Sequence, residues 1–144
     1  MNIRQAQSGD VDKLLPLASD LATSFVVDPA TFRESFHECL QDETSVVLVA
    51  EHESSLVGYL LGFDHVAFFA NGRVSGVEEL YVIPQQRRRG IGRALMREFE
   101  GWARSRSSTQ IVVCTRRAAE FYVALGYKET AICFQNVLKQ KREP

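Results

Sequence analysis

Residues 78–95 read E-E-L-Y-V-I-P-Q-Q-R-R-R-G-I-G-R-A-L, passing from strand to helix through a turn crowded with arginine and glycine. Leu80, Val82 and Ile83 are apolar and Tyr81 is aromatic, a composition that favours a buried strand. Pro84 ends it, because proline has no N–H to give a sheet ladder. From Ile91 the apolar residues Ile91, Leu95, Phe99 and Trp102 recur every three or four positions, which predicts a helix with one buried face. Gly90 and Gly92 stand at its start. The first amides of that helix have no intrahelical acceptor, lie at the positive end of the helix dipole and are not covered by side chains. Such a turn is an anion site by its backbone alone.

Upstream of the turn, Asn2 to Gln7 alternates weakly around Ile3 and reads as an opening strand. Ser8 or Asp10 then caps a helix carrying Val11, Leu14, Leu15, Ala18 and Leu21, with Pro16 late enough to kink it. Asp28-Pro29 repeats the helix-start signal ahead of Phe32, Phe36 and Leu40. The apolar T-S-F-V-V between these two helices is expected to be a flap packed on a cleft. Residues 45–52, 56–69 and 74–83 read as three sequential strands, joined by E-S-S and by a turn with the hairpin signal Asn71-Gly72. After the helix come a strand at 110–114, a short helix at 116–125 stopped by Gly126, and a closing strand or bent pair at 128–138. The last residues, K-Q-K-R-E-P, are polar and expected to fray. No internal repeat is present. The reading is a mixed α/β fold: a twisted mixed sheet of six to seven strands flanked by about four helices on both faces. The helix after Gly90 links two strands expected to be parallel, through a right-handed crossover.

With 144 residues the chain fits a single domain, 1–144. No apolar run approaches the ~20 residues of a membrane span, so no membrane partner is expected. The N-terminus lacks the apolar core of a signal peptide, which predicts a cytoplasmic protein. Cys39, Cys114 and Cys133 are odd in number and irregularly spaced, arguing against a disulfide framework and against zinc; Cys114 and Cys133 are expected to be core thiols. The net charge of -1 hides a polarity. Residues 1–86 hold thirteen acidic and four basic side chains (-9), and residues 87–144 hold five and thirteen (+8). Solvated faces that attract one another are one reading of this; a polyanion held by the basic half and a cation received by the acidic half is another.

The turn fails as a nucleotide P-loop, which needs G-x-x-x-x-G-K-S/T, and as a dinucleotide site, which needs a third glycine after the first strand. Arg87, Arg88, Arg89, Arg93 and Arg97 invite a nucleic-acid reading, but the rest of the chain is acidic and lacks an aromatic platform, so no nucleic-acid partner is expected. What remains resembles the GNAT superfamily of N-acetyltransferases. In that family a strand ending L-x-V-x-P precedes a pyrophosphate loop R/Q-x-x-G-x-G/A. Leu80 to Pro84 followed by Arg87-x-x-Gly90-x-Gly92 matches in residues and spacing. Ala118-x-x-Phe121-Tyr122-x-x-Leu125-Gly126-Tyr127 is similar to the family's second motif, and the element order agrees.

The resemblance implies acetyl-CoA as cosubstrate, with no metal, and an acetyl transfer to a primary amine on a small molecule or peptide. The amides from Arg88 to Arg93, including Ile91, would coordinate the diphosphate, with Arg87, Arg88 and Arg89 reaching phosphate or lying in solvent. Leu80, Tyr81 and Val82 would pair with the pantetheine arm, beside a strand at 111–114 that splays away. Thr115 stands where many relatives carry an asparagine for that arm, and its shorter reach leaves the contact open. Glu78, or else Glu79, is implied as the base, the two pointing to opposite faces of the strand; a surface glutamate is the plainer alternative. Tyr122 matches the tyrosine that protonates the departing thiolate, against the simpler role of a core tyrosine. Phe25, Phe32, Phe36, Asp64 and His65 are acceptor candidates by location, the acidic half favouring a cationic amine. Ile132, Phe134 and Val137 suggest an apolar edge for a homodimer. A non-catalytic acyl-CoA-binding module that senses the cofactor is the alternative function.

Overall fold

A computed structural model describes residues 1–139. The elements are β1 (Asn2–Gln5), α1 (Val11–Leu21), α2 (Pro29–Gln41), β2 (Ser45–His52), β3 (Ser55–Ala67), β4 (Gly72–Val82), α3 (Ile91–Ser105), β5 (Ser108–Val113) and α4 (Ala119–Ala124). The strands form one sheet in the order β1-β2-β3-β4-β5, antiparallel throughout except for the parallel pair β4–β5 that α3 connects.

Local chemistry accounts for most boundaries. Asp28 accepts from the Thr31 N–H at 2.9 Å and Pro29 is the first residue of α2, where its missing N–H costs nothing. Glu53 and Ser54 join β2 to β3 with positive φ of 49° and 67°, as a two-residue hairpin turn of matching twist requires. β2 is the innermost strand by burial. Val46, Leu48 and Ala50 enter a cluster under α3 and α4, while Val47 and Val49 enter a second cluster under α1 and α2. A strand covered on both faces explains the unbroken run V-V-L-V-A. Leu95, Met96 and Phe99 of α3 are fully buried on the first cluster, and a Cβ on Gly62 would collide with the Phe99 ring.

Several expectations are corrected. Five strands stand among the described residues, not six or seven, because 128–138 joins no strand ladder among them. Its alternation finds no surface to bury against: Ile132, Phe134 and Leu138 are 80%, 94% and 91% exposed. Cys114 and Cys133 are not core thiols; both are exposed, at and beyond the end of the outermost strand, and they form a disulfide. Cys39 remains a free, half-buried thiol whose pKa burial raises. The last helix is shorter than 116–125, since Thr115 Oγ1 accepts from the Ala118 N–H at 2.9 Å and delays its start. Phe25 and Val26 lie 44% exposed in the α1–α2 link instead of packing as a flap. The polar end, 140–144, lies outside the described residues.

One buried acid ties the sheet's outer half together. Asp64 of β3, its side chain fully enclosed, accepts from Arg106 Nε at 2.6 Å and from Arg73 Nη2 at 3.2 Å. It is therefore part of the framework and not an acceptor contact. Burial works to raise its pKa, but the hydrogen bonds from Arg106 and Arg73 outweigh that and hold it below the usual carboxylate range. Nearby, the Ser75 and Ser108 hydroxyls meet at 2.6 Å across β4 and β5. Removing the acid leaves two guanidinium groups facing an uncharged void, so Asp64→Ala should lower Tm by roughly 10 °C in calorimetry. Because the folded pKa lies below the unfolded value of ~3.9, the ionised form contributes fully above about pH 4 and progressively less as the pH falls further. The Tm gap between wild type and Asp64→Asn should accordingly be widest at neutral pH and narrow in acid.

Candidate active site

β4 and β5 stay paired from Arg73–Ser108 to Val77–Val113 and then separate. Residues 78–82 of β4 continue along β3 with no strand on the other side. Ile83 N–H donates to the Val57 carbonyl of β3 at 2.9 Å, so by alternation Leu80 and Val82 turn their backbone groups toward the gap. The Val82 carbonyl is already occupied, accepting from Arg87 Nε at 2.8 Å. The Leu80 groups and the Val82 amide are the ones free to meet an amide-bearing chain.

The turn after β4 carries the anion site. Arg88 and Gly90 take φ of 64° and 82°, reversing the chain tightly enough that α3 starts beside the strand it follows. The first α3 bond is Ala94 N–H to the Gly90 carbonyl at 3.0 Å, and the amides of residues 88–93 have no backbone acceptor among the described residues. The two glycines serve different ends. A Cβ on Gly90 would meet nothing within 4 Å, so the space over the amides is open, whereas a Cβ on Gly92 would press on the Phe121 ring of α4 at 3.2 Å. Arg87 folds back over the Tyr81 ring, 5.4 Å from its centroid, and braces the strand. Arg88, Arg89 and Arg93 project into solvent around the amides. Donors without acceptors, a helix dipole and exposed cations fit a diphosphate.

Tyr122, in the second half of α4, packs in the same cluster as Ile91 of α3 and Leu80 and Val82 of β4. It is 7% exposed, and burial pushes its pKa up to about 12. Phe121 and Tyr127 hold its ring edge-on, with centroids at 4.9 and 5.9 Å. Its hydroxyl has no hydrogen-bond partner among the described residues. The Tyr127 hydroxyl, by contrast, donates to Glu100 at 2.8 Å.

The two glutamates part as alternation predicts, with an added device. Leu61 pairs with Glu79 and Gly62 with Val77, which leaves Glu78 as the extra residue of a β-bulge. Glu78 is exposed there. Glu79 faces the α1–α2 layer, where the Tyr59 hydroxyl donates to its carboxylate at 2.6 Å. The carboxylate and burial together raise the Tyr59 pKa, with burial the larger cause. Leu80, Val82, the 88–93 amides and Tyr122 thus surround one gap. Thr115 uses its oxygen lone pair on α4 and keeps its O–H free. Phe36 is buried, and His65 lies exposed on β3. Tyr59 was not legible as a partner of Glu79, since nothing in its own stretch of sequence marks it.

Residues 14–127 match the acetyltransferase (GNAT) family. The uncharacterised N-acetyltransferase YhfO of Bacillus subtilis is 25% identical over 90% of this chain and 91% of its own length. An aminoglycoside N(6')-acetyltransferase type 1 of Acinetobacter haemolyticus is 26% identical over 76% of each. In fold, the chain is similar to glucosamine-6-phosphate N-acetyltransferase of Arabidopsis thaliana, with a TM-score of 0.84 at 19% identity over 96% of this chain and 98% of that one.

Gly90→Ala tests the cradle. A side chain at a φ of 82° should cost about 1 kcal/mol of stability, while its Cβ enters the open space over the amides. Titration calorimetry should find coenzyme A binding weakened at least about tenfold, a larger loss than the change in Tm explains.

Proposed function

The chain belongs to the GNAT family of acetyltransferases, and from that premise we propose that residues 1–144 act as one domain that moves the acetyl group of acetyl-CoA directly to a primary amine. The observation that carries this is the gap between β4 and β5 opening beside unpaired amides at the start of α3. The amides of 88–93 and the surrounding arginines hold the diphosphate, and the free backbone of Leu80 and Val82 aligns the pantetheine arm. Bound acetyl-CoA supplies an activated acyl group: the amine nitrogen bonds to the carbonyl carbon, the C–S bond breaks, and the sulfur leaves as thiolate.

The chain's own groups manage two protons. A lysine-like amine has pKa ~10.4 and must be deprotonated to attack. Glu78, exposed at the bulge and with no partner among the described residues, takes that proton, directly or through a water. Glu79, engaged by Tyr59, is the second choice. Tyr122 gives its proton to the departing thiolate; with its pKa pushed up to about 12, it stays protonated across the physiological range. The acceptor class favoured is a cationic amine of the aminoglycoside kind. The Acinetobacter relative supports this, as does the acidic balance of residues 1–86.

Calorimetry with acetyl-CoA, followed by thiol release against aminoglycosides, polyamines and lysine peptides, tests the reading. No binding at millimolar ligand would end it, and tight binding with no turnover on any amine would favour a sensing module instead. Tyr122→Phe should lower kcat by roughly a hundredfold or more while acetyl-CoA affinity holds. Glu78→Gln should lower kcat/KM by a similar factor at neutral pH and recover toward wild type as the pH approaches the amine's own pKa. An unchanged neutral rate would pass the base to Glu79.

A further inference from the structure

The gap between β4 and β5 has a closed end and an open one. It closes at the Val77–Val113 pair, the last rung of the parallel ladder, and opens along Leu80 and Val82 toward the amides of residues 88–93. Cys114 follows Val113, so it stands at the closed end, beside Glu78, the first β4 residue without a β5 partner. Ile111 and Val113 pack on the α3–α4 cluster, while Val112 is 45% exposed on the other face. By the same alternation Cys114 turns to the face of Val112, which is also that of Glu79. Cys114 is exposed and bonded to Cys133, itself exposed in a segment that joins no strand ladder among the described residues. Arg116, two residues past Cys114, donates at 3.2 Å to Gln135, two residues past Cys133, so a cation lies close to the bridge. A cation there favours departure of a sulfur as thiolate.

We propose that the Cys114–Cys133 disulfide is a modification site for coenzyme A itself, whose free thiol exchanges with the bridge and is left bonded to Cys114. This rests on the chain's binding acetyl-CoA as proposed above. With the diphosphate on the 88–93 amides, the arm runs back along Val82 and Leu80 to Glu78, about 13 Å of strand at ~3.3 Å per residue. A pantetheine arm is long enough to cover that span, and its sulfur then arrives at the closed end, where Cys114 stands. In acetyl-CoA that sulfur is acylated and cannot attack. It becomes a nucleophile once the acetyl group has left.

The coenzyme A thiolate attacks Cys114 Sγ, the new S–S bond forms, and the Cys114–Cys133 bond breaks. Cys133 leaves as a thiolate, and the proton that coenzyme A gave up ends on it. One disulfide replaces another, so no oxidant is consumed. Attack by Cys133 on the mixed disulfide reverses the step and releases coenzyme A. While the mixed disulfide stands the site is filled and acetyl-CoA is shut out. The chain is thereby held inactive where free coenzyme A is abundant and reductant scarce.

The oxidised full chain, in a Cys39→Ser background that removes the remaining thiol, is mixed with millimolar coenzyme A, quenched in acid and weighed by intact-mass spectrometry. One coenzyme A per chain is expected, mapped to Cys114 in a peptide digest; a bridge left untouched overturns the proposal. A second arm asks whether the site or merely an exposed sulfur selects the ligand. In a Cys39→Ser, Cys133→Ser chain, the Cys114 thiolate attacks coenzyme A disulfide, binding one half and releasing the other as a thiol. Labelling should be at least about tenfold faster than with glutathione disulfide, which has no diphosphate to dock. Saturating acetyl-CoA should block it, and Gly90→Ala should slow it by a similar factor. Equal rates with the two disulfides, or labelling that acetyl-CoA leaves unchanged, would equally overturn the proposal. Calorimetry with acetyl-CoA on the same chain tells the two readings apart. Binding without labelling overturns the modification alone, and no binding at millimolar ligand overturns the acetyltransferase reading with it.

Discussion

The parting of β4 from β5 after Val77 and Val113 is the constraint on which the rest of the site depends. Two parallel strands that remained paired would satisfy each other's backbone groups and leave nothing for a ligand. Here they are clamped at one end by the Ser75–Ser108 hydroxyl pair and by Asp64 between Arg73 and Arg106. At the other end they diverge, and the same β4 then runs into a turn whose amides are also unpaired. Rigid pairing and open backbone sit a few residues apart on one strand.

The bulge at Glu78 sets which face each β4 side chain takes. Val77 packs with the α3–α4 cluster, and so do Leu80 and Val82, while Glu79 and Tyr81 face α1 and α2. Unbroken alternation would have put Val77, Glu79 and Tyr81 on one face. The extra residue lets an apolar strand serve two cores and still carry a carboxylate out into the open at the point where the strands part. Tyr122 is held by aromatic neighbours, and its burial raises the phenol pKa enough to keep it protonated.

A sheet this small has two edges, and an uncovered edge is a surface for association. The β1 edge is short. The β5 edge is flanked by a groove, by the β3–β4 turn with its two exposed phenylalanines, and by a segment with strand alternation and no strand.

The amino-acid sequence by itself determined the elements whose causes are local. The Asp28-Pro29 helix start, the turn at Asn71-Gly72, the glycines opening α3 and the facing of Ile91, Leu95 and Phe99 are each set by residues within one or two turns of chain. The two family motifs are equally local, and so the family was legible too. Tertiary structure alone decided that Glu79 is held by Tyr59 and that Arg87 braces Val82 and Tyr81. It also decided that Asp64 is a buried tie, that Cys114 meets Cys133, and that residues 128–138 do not close the sheet. Several of these partnerships span 19 to 42 residues of sequence. Alternation states that a strand has two faces; only the packing of helices against them, and the presence or absence of a neighbouring edge, states what those faces meet.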